Sequence, residues 1–474
     1  MTFGVATPLV IELALFALAL VVLAIGLVAR GRSGQTTGWL TLFGLIGAFV
    51  LTYVSGESSL PGGLFVVDSL AVFAKRVFMI AAAVSLLASL TLRSGSFSRR
   101  APEYHFALLL SLIGMCALAS ARELILLFVT FELMSIPLYL LTGFLKRDAV
   151  APEAALKFFL VGTASSAVIV YGMSFVYGVT GSTDISAIPQ ALADGHPMML
   201  LGMGLLLAGL GFKIAAFPFH MWAPDTYEAA STPFVAWLSV APKAAGFVAI
   251  IRLYVEGVGS AAVAWMPIVA AVAGMTMLMG NLMAIPQQNI KRLLAYSGIA
   301  HIGYMLLGLA AVSADGIAMV LFYLVAYLFG NMGAFLVVDA VARVEKSDQI
   351  EAYRGLAQRS PLLALAMLIF LLSLGGIPFV AGFWAKLYVF WAAIERGMYG
   401  LVLLGAILTV VALYYYLLVA RRMYIEAPVN TAPVRVPALL SIGIGVCVFA
   451  VIAIGLYPGP WVALALRVAA TLFA

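Results

Sequence analysis

The chain has 474 residues, 64% of them apolar and 10% charged, with a mean hydropathy of +1.13. At about 20 apolar residues per bilayer crossing, this stock supports at most ~15 membrane helices. A charged fraction far below the roughly 25% of ordinary globular domains excludes water as the main solvent. A formal charge of +6 raises nucleic acid as a partner, yet no basic run or aromatic-basic patch occurs, so the excess is read as topological. Cys116 and Cys447 stand far apart in apolar stretches, which argues against a disulfide framework, an iron–sulfur cluster or a zinc site. Neither a Gly-x-Gly-x-x-Gly nor a Gly-Lys-Ser/Thr phosphate loop is present, which argues against nucleotide chemistry in this chain.

In chain order, the apolar run Leu9–Val28 has no preceding positive segment and is followed by Arg30 and Arg32, the pattern of an uncleaved helix. Apolar length and Gly, Pro or charge punctuation predict fourteen spans: 8–29, 37–54, 66–92, 104–120, 122–144, 153–178, 197–219, 231–254, 261–284, 289–311, 314–340, 361–394, 398–420 and 438–457. Trp461 to Ala474 are too few for another crossing and are expected to pack at the interface or extend the last helix.

Lys and Arg distribution supports this count. With the N-terminus outside, the loops on the cytoplasmic side carry Arg30, Arg32, Arg93, Arg99, Arg100, Lys146, Arg147, Lys291, Arg292, Arg343, Lys346, Arg354, Arg359, Arg421, Arg422 and Arg435, against Arg122, Arg252, Arg396 and Arg467 opposite.

Two spans look broken. Ala216-Phe217-Pro218-Phe219-His220 interrupts the seventh, and Gly375-Gly376-Ile377-Pro378-Phe379 the twelfth, each followed shortly by Trp222 or Trp384. Proline removes a backbone donor and frees a carbonyl. The breaks are five helices apart, so helices 4–8 and 9–13 read as two inverted five-helix repeats with helices 7 and 12 discontinuous. The expected organisation is a three-helix segment (1–100), a first repeat (101–256), a second repeat (257–424) and a C-terminal helix (425–474).

A charge at mid-bilayer costs about 2.5–3.5 kcal/mol on insertion scales, so each needs a partner, water or neutralisation. Near span centres stand Glu132, Lys213, Lys243, His301, Lys386 and the pair Lys75-Arg76. Glu132 lies too deep to snorkel; its bland alternative is a permanently protonated hydrogen bonder. Lys213 precedes the first break, where freed carbonyls and water could solvate an ammonium, and could instead be a static counter-charge. Lys243 follows Pro242. His301 lies between Ser297 and Tyr304 at helical spacings, and a structural hydrogen bonder is its alternative. Lys386 follows the second break and is near enough to a span end to snorkel. Lys75 and Arg76 point to different helix faces and suggest an interface or inter-subunit role. Asp68 is expected to cap its helix or pair one turn away, Lys157 to pair with Glu153 four residues earlier, and Lys291 is a further secondary candidate. Desolvation favours neutral lysine and a nearby carboxylate favours the charged form, so a Glu–Lys pair can switch, and a line of Lys, His and Lys suits protons better than a bulky solute.

The fourteen-helix plan, Phe131-Glu132-Leu133-Met134-Ser135-Ile136-Pro137, Lys213 with Pro218 to Tyr227, Pro242-Lys243 and Tyr296 to Tyr304 together resemble the antiporter-like membrane subunits of proton-translocating NADH:quinone oxidoreductase, respiratory complex I, over nearly the whole chain. No long lateral helix is read after residue 457 as in the L-type, and Lys386 stands where the M-type has Glu, leaving the N-type as the nearest. The resemblance implies a translocase subunit without redox chemistry of its own, not functional alone, moving about one proton per cycle. It implies Glu132 and Lys213 as the switchable pair, Lys243 and His301 as the central relay, and Lys386 as the terminal relay. NADH, FMN, iron–sulfur clusters and quinone would sit in other subunits, and the partners would be M-like and K-like neighbours and lipid, with no nucleic acid. Tyr227-Glu228-Ala229-Ala230 departs from relatives that have Gly there, which puts the local loop shape in doubt.

Two other readings stay open at this point, an Mrp-type cation/proton antiporter subunit and a stand-alone secondary transporter. Few mid-span Asp, Asn or Gln side chains are available for either. The expected location is a bacterial inner membrane, multi-pass, with both termini periplasmic. A reporter fused after Ala474 should then be extracytoplasmic and one inserted between Arg343 and Arg359 cytoplasmic; the opposite result at either site would mean a wrong helix count.

Overall fold

The computed structural model describes residues 7–28, 34–92, 95–145, 150–193 and 196–473. Arg30, Arg32, Arg93, Lys146, Arg147 and Ala474 lie outside the described residues. Backbone groups in hydrocarbon must be satisfied within their own segment, and the chain answers with helices: α1 (Val10–Val28), α2 (Gly34–Val54), α3 (Ser69–Ser89), α4 (Gly95–Ser120), α5 (Leu124–Thr142), α6 (Val150–Thr180), α7 (Pro197–Ile214), α8 (Trp222–Ala229), α9 (Thr232–Leu238), α10 (Ala241–Ile251), α11 (Ala262–Ala284), α12 (Ile290–Ala310), α13 (Ala314–Glu345), α14 (Pro361–Gly375), α15 (Ala381–Glu395), α16 (Tyr399–Tyr424), α17 (Ala438–Leu456) and α18 (Gly459–Ala470). A two-residue antiparallel pair, β1 (Ser58–Ser59) and β2 (Val66–Val67), closes the loop before α3.

Among the described residues, thirteen helical stretches are long and apolar enough to cross a bilayer. The expected twelfth span, 361–394, is present as α14 and α15, fifteen residues each and separated by a break. The fourth span begins earlier than 104, because α4 runs through Arg99, Arg100 and Pro102. The tail does not extend the last helix: α17 ends at Leu456, and α18 is a separate helix packed on α13.

The chain divides into two compact units. One comprises Met1–Ile214, Ala241–Trp265 and Thr471–Ala474. In it α4 packs on α1, α3 and α5, α6 on α7, and α10 on α3, α4 and α7. Its buried charges find partners inside the chain. Asp68 caps α3 by accepting from Ala71 N at 2.9 Å, and Arg252, fully buried, donates to both Asp68 oxygens at 2.6 Å, to Glu256 and to the Ala119 carbonyl. Arg122 adds a contact to each carboxylate. Burial alone would raise the Asp68 carboxyl, but hydrogen bonds and charge from Arg252 hold it below the usual carboxylate range. The cap expected for Asp68 is present; its ionic partners are distant in sequence rather than one turn away.

An interface role for Lys75 is not what the structure has. Lys75 is buried against Glu12, with Nζ 2.7 Å from Oε1. Arg76 donates to the Thr52 hydroxyl and carbonyl at 2.9 Å and lies over the Tyr53 ring. The two residues do face different ways, but each is absorbed by a neighbouring helix, α1 or α2.

The second unit comprises Ala215–Val240 and Met266–Ala470. Its centre is α13, whose residues Gly316 to Val341 are buried on every face. Around it pack α9, α12, α14, α15, α17 and α18. Ser313 caps its start by accepting from Gly316 N, and Lys346 in the left-handed region ends it.

Candidate functional site

Five ionisable residues stand at depth, and the structure treats them differently. Lys213, Lys243, His301 and Lys386 are at most 4% exposed, whereas Glu132 is half-buried.

In the first unit, α5 carries Glu132 and Ser135 one turn apart on neighbouring faces. Lys213, at the end of α7, donates from Nζ to Ser135 Oγ at 2.9 Å, and Ser135 in turn donates to the Phe131 carbonyl at 2.6 Å. The ammonium also lies 5.3 Å from the Phe131 ring centre. Glu132 instead accepts a short hydrogen bond from Ser166 of α6. No direct Glu132–Lys213 ion pair is formed among the described residues; each side chain has a serine of its own, Ser166 for Glu132 and Ser135 for Lys213. Gly246 on α10 brings that helix onto α7 here; a Cβ on it would come within 2.6 Å of Ile214 and 3.6 Å of the Lys213 side chain. Lys243 lies one turn before Gly246, buried at the start of α10.

In the second unit, His301 sits at the middle of α12 between two phenols. Tyr323 of α13 is 2.8 Å from Nδ1, and Tyr416 of α16 is 3.5 Å from Nε2 and shares a short hydrogen bond with Ser297. Lys386 donates to the Leu374 and Gly375 carbonyls at 2.9 and 3.2 Å and lies 4.9 Å from the Tyr304 ring centre.

The two breaks therefore serve their lysines differently. Carbonyls freed at a break were expected to solvate Lys213; its ammonium goes to a hydroxyl of α5 instead. Side chains on a helix lean toward its N-terminus. Lys213 precedes its break and leans away from it, while Lys386 follows its break and leans back onto the open C-terminal carbonyls of α14. Gly376 makes that approach possible, with φ +81° and a missing Cβ that would stand 2.9 Å from Lys386 Cδ.

The secondary candidates are held by ion pairs. Lys157 meets Glu153 at 2.9 Å on an exposed face, as the spacing predicts. Lys291, buried at the start of α12, pairs with Asp348 at 2.9 Å and donates to the Ala230 carbonyl at 3.2 Å. At the departure Tyr227-Glu228-Ala229-Ala230, α8 continues helical to Ala229, and Glu228 accepts from Arg292 and Asn289. Sequence reasoning did not single out Ser166, Tyr323 or Tyr416, since a Ser or Tyr in a membrane helix carries no signal until its partner helix is known. Among the described residues, no three His, Cys, Asp or Glu side chains converge on a metal-sized site.

Residues 121–412, which include all five positions, match the family described as NADH:quinone oxidoreductase/Mrp antiporter, transmembrane. The chain belongs to that family. A relative named NADH-quinone oxidoreductase subunit N from Heliobacterium modesticaldum is 41% identical, covering 95% of this chain and 96% of the relative. A chain of respiratory complex I from Thermus thermophilus, solved with bound aureothin, superposes with TM-score 0.82 at 32% identity, covering 96% of this chain and 99% of that one. A chain of the Mrp complex from Dietzia sp. superposes with TM-score 0.87 at 21% identity, covering 100% and 98%, a likeness of fold alone.

Within this family member, Gly376→Ala should lower the thermal midpoint of the solubilised protein, since a non-glycine residue in the left-handed region costs about 1–2 kcal/mol and the new Cβ pushes on Lys386. An unchanged midpoint would show that the glycine is not required there.

Proposed function

We propose that this chain is a proton-translocating subunit of the membrane arm of an NADH:quinone oxidoreductase, part of a translocase in which it carries out no redox step itself. The 41% identity to a subunit N along 96% of that relative supports this over an Mrp-type antiporter, for which the likeness is 21%. Likeness to a chain of a multi-subunit complex, respiratory complex I at 32% identity, disfavours a stand-alone transporter.

The observation that carries the mechanism is that Glu132 and Lys213 are held apart, the carboxylate by the Ser166 hydroxyl and the ammonium by the Ser135 hydroxyl. A serine bond is weaker than an ion pair in low dielectric, so small side-chain movements can exchange one arrangement for the other. Closing the pair favours charged Lys213; reopening it favours proton release toward Lys243. His301, with a phenol at each ring nitrogen, can accept a proton at one and lose it at the other. Lys386 on backbone carbonyls ends the series, as an acceptor whose charged form is already solvated.

NADH, FMN, iron–sulfur clusters and quinone belong, in this reading, to partner subunits and supply the redox free energy. The chain's neighbours are M-like and K-like subunits and lipid. It sits in a bacterial inner membrane with both termini periplasmic, the orientation that the Lys and Arg distribution favours.

Glu132→Ala or Lys213→Ala should leave the complex assembled and lower NADH-driven proton translocation by roughly tenfold or more, because the remaining charge loses its counterpart. Unchanged translocation in an assembled double variant would remove the pair from the mechanism. Lys386→Arg keeps the charge but cannot release a proton on a catalytic timescale. A loss matching that of Lys386→Ala is expected in membranes with equal amounts of complex, whereas near-normal coupled activity would make Lys386 a static charge.

A further inference from the structure

The proposed relay leaves unused a second buried Glu–Lys pair. Glu12 in the first turn of α1 and Lys75 in α3 are 7% and 0% exposed, with Lys75 Nζ 2.7 Å from Glu12 Oε1. The Phe65 ring lies 5.3 Å from the ammonium. Arg76, the next residue along α3, is turned away to Thr52 of α2. Among the described residues no hydrogen-bond partner serves either carboxylate oxygen of Glu12 or the ammonium of Lys75, which leaves the ion pair as their polar contact.

The Asp68–Arg252 cluster shows what a static arrangement looks like in the same unit. There the cation is a guanidinium, which does not release a proton, and its fork is filled by Asp68, Glu256 and the Ala119 carbonyl. The Glu12–Lys75 pair differs on both counts. An ammonium can give up a proton, and the charged form is under-served: a carboxylate has room for about four hydrogen bonds and an ammonium for three. Moving one proton over the 2.7 Å contact breaks an N–H bond and forms an O–H bond, leaving an amine beside a carboxylic acid, a form that demands fewer partners. An additional proton from water gives the acid beside an ammonium, and loss of one gives a carboxylate beside an amine.

We infer that Glu12 and Lys75 form a second proton-binding pair, lateral to the five residues of the proposed relay. The aqueous end of its route is the Asp68 cluster. Asp68 precedes Lys75 by seven residues on the same face of α3, about 10 Å along the axis, and Arg122, which touches Asp68, is 38% exposed. The pair thus lies two helical turns inward from a charged and partly exposed cluster.

The inference rests on the proton-translocating reading, and two variants test it in membranes containing equal amounts of assembled complex. Lys75→Arg keeps an ion pair with Glu12 but ends proton release. Glu12→Gln together with Lys75→Met keeps the volume and removes both charges, a replacement that a merely structural pair tolerates. NADH-driven proton translocation should fall at least fivefold in both. Translocation near the wild-type rate in either variant overturns the assignment, and failure of both to assemble gives the charges a purely structural role and overturns it as well. If translocation is also intact in the Glu132→Ala and Lys213→Ala variants, the broader reading has failed; if it falls there but survives at Lys75, only the Glu12–Lys75 assignment has.

Discussion

An ammonium inside a slab of hydrocarbon has to be given oxygen, and the irregular parts of this structure follow from where that oxygen comes from. A continuous helix offers its carbonyls to itself. The chain therefore either interrupts a helix, as between α14 and α15, or sets a serine on a neighbouring helix, as Ser135 of α5 does for Lys213. The first solution gives two fixed acceptors to Lys386. The second gives Lys213 a single hydroxyl, already committed to the Phe131 carbonyl, and so a weaker hold. A lysine that must exchange partners is better served by the second, and one that must receive a proton by the first.

The same constraint explains why guanidinium and ammonium are used in different places. Arg252, Arg292 and Arg359 hold segments together through carboxylates near helix ends. These charges are permanent, and the fork of Arg252 is filled. Apart from Arg76, lysines occupy the deep cationic positions, where a group able to lose its charge costs less to keep. Lys291 is the exception that marks the boundary, for it lies at a helix start and is paired with Asp348 like the arginines.

Much of this was legible in the sequence, for a physical reason. Hydrocarbon imposes one length and one secondary structure, so apolar runs and proline punctuation located most of the spanning helices to within a few residues, apart from the early start of α4, whereas the short α8 fell between two expected spans and α9 and α10 were read as one. Depth alone made Glu132, Lys213, Lys243, His301 and Lys386 conspicuous, because a charge there is costly wherever it points. Direction was not legible. The Ser135 contact, the two phenols on His301 and the Glu12 partner of Lys75 depend on which helices are neighbours, and an all-apolar helix carries no periodicity to say so. Lys75 was misassigned to an interface for that reason, its partner lying 63 residues away in a helix with one acidic residue in its first turn.

The burial of α13 on every face bears on how this chain can change over evolutionary time. At 3.6 residues per turn, one inserted or deleted residue rotates everything beyond it by about 100°. In a helix with a lipid-facing side, part of that rotation exchanges one apolar residue for another at little cost. In α13 it would carry Tyr323 off the His301 ring and Asn331 off Ser239, and no side of the helix could absorb the change. Length variation among descendants of this sequence should therefore collect in the connections, such as the stretch between Glu345 and Pro361, while the thirty-two residues of α13 keep their number even where their identities drift.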